Sequence, residues 1–160
     1  MANYRKRLEN KFERVTTVNY SPLPGTEFSL LSEDDLYLFN EGTHARLYQK
    51  LGAHPAVFQS LTGTYFAVWA PNAERVTVIG DFNGWDKTIN PLHPCGQSGI
   101  WGGFIPGVGK GASYKYHILS RIAGYCVDKA DPIAFFSEQP PKTASVTDRL
   151  LPPMLQELDL

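Results

Sequence analysis

Sulfur is scarce in this chain, and so is net charge. Only two of its 160 residues are cysteine, Cys95 and Cys126. Neither stands in a metal-ligand spacing, which excludes a zinc ribbon or a disulfide-stapled scaffold, and both are expected as reduced thiols. Fifteen basic residues against sixteen acidic ones leave a net charge of −1, with no basic stripe, so nucleic acid is not an expected partner. No apolar run approaches the ~20 residues of a membrane span. The stretch Met1 to Arg14 is charged and has no apolar core of the kind a secretory leader needs. The expectation is a cytoplasmic chain that does not meet a membrane. His44 and His54 stand ten residues apart across an expected helix end with no third ligand nearby, so no metal and no cofactor are expected.

What the chain does have is alternation. Residues 1–31 are weakly patterned: Tyr4 to Arg14 reads as a short basic helix with the cluster Arg5-Lys6-Arg7, and Ser21-Pro22-Leu23-Pro24-Gly25 is a breaker. Ser32 is placed to cap a helix whose first turn holds Asp34 and Asp35, where the helix dipole favours carboxylates. Gly42 ends that helix, Thr43 begins a second with Leu47, Tyr48 and Leu51 on one face, and Gly52 closes it. Residues 32–55 therefore read as a helical hairpin. From Gly63 the period becomes two. Strands are expected over Thr64–Ala70, Arg75–Gly80, Ile100–Ile105, Ser113–Leu119 and Tyr125–Val127, with edge strands at Ala134–Phe136 and Thr143–Val146. Ile89 to Gly99 reads as irregular. Turn signals at intervals of about ten residues point to an antiparallel sandwich. Gly107, Gly109 and Gly111 precede a strand with no Gly-Lys-Ser/Thr, so they are not a phosphate cradle.

One stretch, Arg75 to Lys87, organises the rest. It begins as a β-branched strand and breaks at Gly80. The turn dipeptide Asn83-Gly84, whose residues tolerate positive φ, is followed at once by Trp85. A tryptophan on such a turn is either a plug for the core or a ring offered to a ligand. Trp69 and Trp101 lie mid-strand and are read as core. Asp81 and Asp86 flank the loop and are read as caps of backbone amides.

Gly80-Asp81-Phe82-Asn83-Gly84-Trp85, with Phe66-Ala67-Val68-Trp69-Ala70-Pro71-Asn72-Ala73 upstream, resembles the signature of the family-48 carbohydrate-binding module. Leu36 to His44 with Leu51-Gly52-Ala53-His54-Pro55 resembles the segment that precedes this module in bacterial 1,4-α-glucan branching enzymes, the glycogen branching enzymes. Lys129-Ala130-Asp131-Pro132 and Pro141 to Val146 look like the module's end. The resemblance implies a mainly β fold, an immunoglobulin-like antiparallel β-sandwich preceded by a short helical hairpin. It divides the chain into a weakly structured extension (1–31), the hairpin (32–55), a carbohydrate-binding sandwich (56–147) and an unassigned tail (148–160).

The resemblance also implies a function. Trp85 stands where glucan-binding members carry a stacking tryptophan, and Lys115, in Tyr114-Lys115-Tyr116, where they carry a lysine that contacts sugar hydroxyls. Asn83 is a further polar contact from the same loop. Those members have a second tryptophan shortly before the Asp-Pro; here Gly124 to Ala130 holds none, and Tyr125 is the partial substitute. Trp101 is followed by Gly102-Gly103 in place of larger residues, which predicts a thinly covered, weakened strand. The implied partner is an α-1,4-linked glucan such as glycogen or maltooligosaccharides. The second reading is a structural domain that packs on the family's catalytic (β/α)₈ barrel with little glucan affinity of its own. A barrel takes about 250 residues more, so no catalytic residue is assigned and the 160 residues are expected to be inactive alone.

Overall fold

Ser32 caps a helix as expected. The structure, a computed structural model, describes residues 29–44, 47–134 and 136–147. The expected helix at Tyr4–Arg14, the Arg5-Lys6-Arg7 cluster, the 21–25 breaker and the 148–160 tail lie outside the described residues. Helix α1 runs Glu33–Asn40, with Ser32 and Asp35 capping each other's backbone reciprocally. The second arm of the expected hairpin is not a helix. It is one 3-10 turn, Leu47–Gln49, and Gly52 opens a strand instead of closing a helix. At φ +94, Gly52 is in the left-handed region that reverses the chain. The strand it begins, β1 (Gly52–Phe58), pairs antiparallel with β2 (Leu61–Trp69). Pro55 hid this strand, but β1 is at a sheet edge, where proline is tolerated.

Strands β3 (Ala73–Gly80), β4 (His93–Pro94), β5 (Ile100–Pro106), β6 (Ser113–Ser120), β7 (Cys126–Lys129), β8 (Phe136–Ser137) and β9 (Ser145–Val146) follow. One sheet has the order β1-β2-β5-β4. The second has β3-β6-β9-β8, with β7 also on β6, and all the pairings are antiparallel. This is the expected sandwich. The segment read as irregular crosses between the sheets: Val78 N–H donates to Asn90 and Leu92 N–H to Val76, after which β4 joins β5.

Alternation sets two cores. Phe66, Val68, Val76, Val78, Trp101, Tyr114 and Tyr116 fill the space between the sheets. Tyr114 and Tyr116 both donate to buried Asp131, at 2.7 and 3.1 Å, so these phenols are satisfied inside the sandwich. On the other face of the first sheet, Tyr65, Ala67, Cys95 and Ile100 are covered by Leu30, Leu31, Leu36, Leu47 and Leu51. Each leucine sealed in this way contributes about 1.5–3 kcal/mol, which is why the segment before the sandwich is part of the fold. Burial pushes the Cys95 thiol up to about 11, and Cys126 is an exposed free thiol.

Two expectations about this sheet are corrected. Trp69 is 55 % exposed. It ends β2 two residues past Ala67, the last residue paired with β1, so it has left the covered part of the face, and Phe39 meets its ring edge-on at 6.1 Å. Trp101 is buried and donates to the Ala70 carbonyl, as a core tryptophan should. Nor is the strand at Gly102-Gly103 thinly covered. A Cβ on Gly102 would stand 2.2 Å from Tyr65 Oη, and one on Gly103 3.0 Å from Leu92 Cδ2, so neighbouring side chains already fill that space. Among the described residues, no helix is long and apolar enough to cross a membrane.

Candidate functional site

The loop after β3 is built by Asn83. Its Oδ1 accepts from Gly80 N–H (3.0 Å), and its Nδ2 donates to the Val78 carbonyl and to Asn90 Oδ1, both at 2.9 Å. With the side chain serving as a staple, Asp81–Asn83 closes as a single 3-10 turn. The left-handed conformation expected at Asn83-Gly84 therefore falls one residue later, on Gly84 (φ +64) and on Trp85 itself (φ +61). For a bulky residue that geometry costs about 1–2 kcal/mol. It is held by the Trp85 N–H bond to the Gly80 carbonyl at 3.0 Å. The indole Nε1–H donates to Asp81 Oδ1 at 3.1 Å, and Trp85 as a residue is 37 % exposed. Trp85 is thus not a core plug: Phe82 fills that role, stacked on Phe66 at 6.2 Å.

Lys115 lies beside this loop in register, since Ile79 pairs with Lys115 and Gly80 with Tyr114. Because Tyr114 and Tyr116 point into the core, Lys115 and His117 point outward from the second sheet. The Lys115 ammonium donates to Thr143 Oγ1 at 2.7 Å. Farther along the same face, His117 Nδ1 hydrogen-bonds Asp128 Oδ1 at 2.6 Å, and Lys87 Nζ stands 3.5 Å from Asp128 Oδ2. Burial alone would raise the Asp128 carboxyl; the His117 hydrogen bond and the Lys87 charge outweigh it and hold it below its ordinary value. The Lys87 contact carries the loop across the outer face.

The fold thus brings Trp85, Asn83 and Lys115 to one end of one sheet. It does not bring Tyr125 there. Tyr125 is 63 % exposed, but it stands level with Ser120, at the far end of β6, about six residues or ~20 Å along the strand from Gly80. Asp86 caps the Thr88 amide as expected, at 2.8 Å. Asp81 does not cap an amide; its carboxylate goes to the indole. Thr143 had no signal in the sequence, because its partner is 28 residues away. The outward pair Lys115 and His117 was legible from alternation, whereas the crossing of Lys87 to Asp128 was not. His44 and His54 are tied to Asp35 Oδ1 (2.8 Å) and to the Leu51 carbonyl (2.7 Å), and no cluster suited to a metal ion occurs among the described residues.

Residues 50–134 match the family described as carbohydrate-binding module 48 (isoamylase N-terminal domain). The chain is 53 % identical over 116 residues to the 1,4-alpha-glucan branching enzyme GlgB of Synechococcus sp. (strain JA-3-3Ab), an alignment covering 72 % of this chain and 15 % of that enzyme. It is 47 % identical over 150 residues to the corresponding enzyme of Myxococcus xanthus (strain DK1622), covering 92 % of this chain and 20 % of that enzyme. This chain therefore spans a fifth or less of the length of these two relatives. A pullulanase of Klebsiella pneumoniae, solved in complex with maltotriose, has a TM-score of 0.50 over 69 % of this chain and 11 % of its own, at 22 % identity, a likeness of fold.

Proposed function

The chain belongs to the carbohydrate-binding module 48 family, and from that premise we propose that it binds α-1,4-linked glucan on the outer face of its second sheet. Such recognition asks for a flat ring against the apolar face of a glucose unit and a few polar groups for its hydroxyls. In this reading Trp85 is the ring and Lys115 the donor to hydroxyls. Asn83 serves the site through the loop it staples, because its amide is already committed there. Tyr125, at the far end of the sheet, meets only a longer glucan. The observation that supports the reading best is the left-handed Trp85: the loop accepts backbone strain and holds a half-exposed indole on a rigid turn, which lowers the entropy lost on binding. With one platform in place of two, affinity is weak, as a stacked ring adds only about 1 kcal/mol beyond area burial.

The test is intrinsic tryptophan fluorescence during titration with maltoheptaose, beside a Trp85→Ala variant. A saturable shift that the variant loses is the expected result. No shift into the millimolar range would leave the second reading, a packing domain. Two observations favour that alternative: Trp69 (55 % exposed) and Tyr37 (61 %) present aromatic surface at the end of β2 and on α1, and the relatives are several times longer than this chain. There the sandwich would pack on the catalytic barrel of a cytoplasmic 1,4-α-glucan branching enzyme of glycogen biosynthesis. The two readings differ in whether the sandwich has glucan affinity of its own, and the titration decides between them.

A further inference from the structure

We propose that Asp81 is a positioning residue for this site: its carboxylate sets the plane of the Trp85 indole and so reserves the faces of the ring for stacking. The inference rests on the reading of Trp85 as the stacking ring. The main chain of Trp85 is locked by its left-handed turn and its bond to Gly80. The side chain is partly covered, since Trp85 is 37 % exposed. Among the described residues no aromatic ring stacks on it, and its one polar contact is the bond from Nε1–H to Asp81 Oδ1. That bond spans four residues across the 3-10 turn Asp81–Asn83, so the staple made by Asn83 fixes the acceptor while the acceptor fixes the ring.

The neighbouring carboxylate shows that this is a choice of geometry. Asp86, in the same loop, does what a turn aspartate ordinarily does and accepts from the Thr88 amide and hydroxyl. Asp81 turns its carboxylate to the indole instead. With the indole's single donor spent there, the ring offers a ligand its faces and no hydrogen bond. Polar discrimination passes to the Lys115 ammonium, itself held by Thr143. Without the acceptor the ring torsion becomes broad, and a ligand must order the ring on arrival.

The experiment compares the full chain with Asp81→Ala and Asp81→Asn by nitrogen-15 NMR of the indole N–H groups and by maltoheptaose titration. The Trp85 signal is identified by its absence in Trp85→Phe. In Asp81→Ala, the Trp85 indole N–H exchanges with solvent about tenfold faster or more. Its heteronuclear NOE falls, the thermal midpoint stays at the wild-type value, and maltoheptaose affinity drops about threefold or more. Asp81→Asn retains an oxygen acceptor and keeps both protection and affinity within about twofold. Wild-type indole protection in Asp81→Ala overturns the proposal. So does wild-type affinity despite lost ring order, or an Asp81→Asn variant as impaired as the alanine. If the wild-type chain binds no maltoheptaose, the glucan reading fails, and the exchange data still decide whether Asp81 orders the ring.

Discussion

Asp35 collects more partners than any other carboxylate described here. Oδ2 accepts from the Ser32 amide and hydroxyl, each at 2.8 Å, and from the Lys50 ammonium, while Oδ1 meets His44 at 2.8 Å. Burial alone would raise this carboxyl, but the hydrogen bonds from Lys50, His44 and Ser32 outweigh it and hold it well below its ordinary 3.8. A depressed folded-state value means that the contribution is fully present above 3.8 and is lost as the pH falls below it. Asp35→Asn should therefore lose about 2 kcal/mol at pH 7, measured by urea unfolding. The gap to wild type should narrow as the pH drops below 3.8. A gap of constant size down to pH 2 would mean that the charge of Asp35 is irrelevant. Half of this cluster was legible in advance: Ser32 was placed to cap the helix and Asp35 to lie in its first turn. Its other half was not, because Lys50 comes from beyond the turn.

At the scale of elements, the glycine pair of β5 is where reading by eye and geometry part. Glycine in a strand suggests weakness, yet Gly102 is small because Tyr65 needs its space. The Tyr65 hydroxyl sits 3.1 Å from Ser29 Oγ, with Cys95 alongside, so Gly102, paired with Ala67 and diagonal to Tyr65, has no room for a methyl group. Gly102→Ala should lose about 1–3 kcal/mol through overpacking, read from chemical denaturation. A wild-type midpoint would show that Tyr65 can move aside. The same local logic explains the missing second helix. Leu47 and Leu51 are buried as an amphipathic helix would bury them. Gly52, however, turns the chain into β1, and the 3-10 turn Leu47–Gln49 precedes it.

For the molecule as a whole, two cores share one sheet. The first lies between the sheets, and the second lies under the segment 29–51. The carboxylates of the candidate face are engaged in holding structure: Asp81 the indole, Asp86 the Thr88 amide, Asp128 the His117 ring. The 160-residue chain should accordingly show no transfer of α-1,4 chains to α-1,6 positions, assayed as new branch points in amylose. Measurable branching would refute this assignment of the carboxylates. The sequence by itself determined the sandwich, the opposite faces of Tyr114 and Tyr116 on one side and Lys115 on the other, and the turn before Trp85, since period-two alternation and glycine-rich turns act within a few residues. Only the tertiary structure decided what depends on contacts between distant segments. These are the edge strand β1, the exposure of Trp69 past the end of its cover, the separation of Tyr125 from Trp85 by strand register, and the Thr143 hydroxyl at Lys115. Register and edge position are set by pairing across the sheet, and no local pattern encodes them.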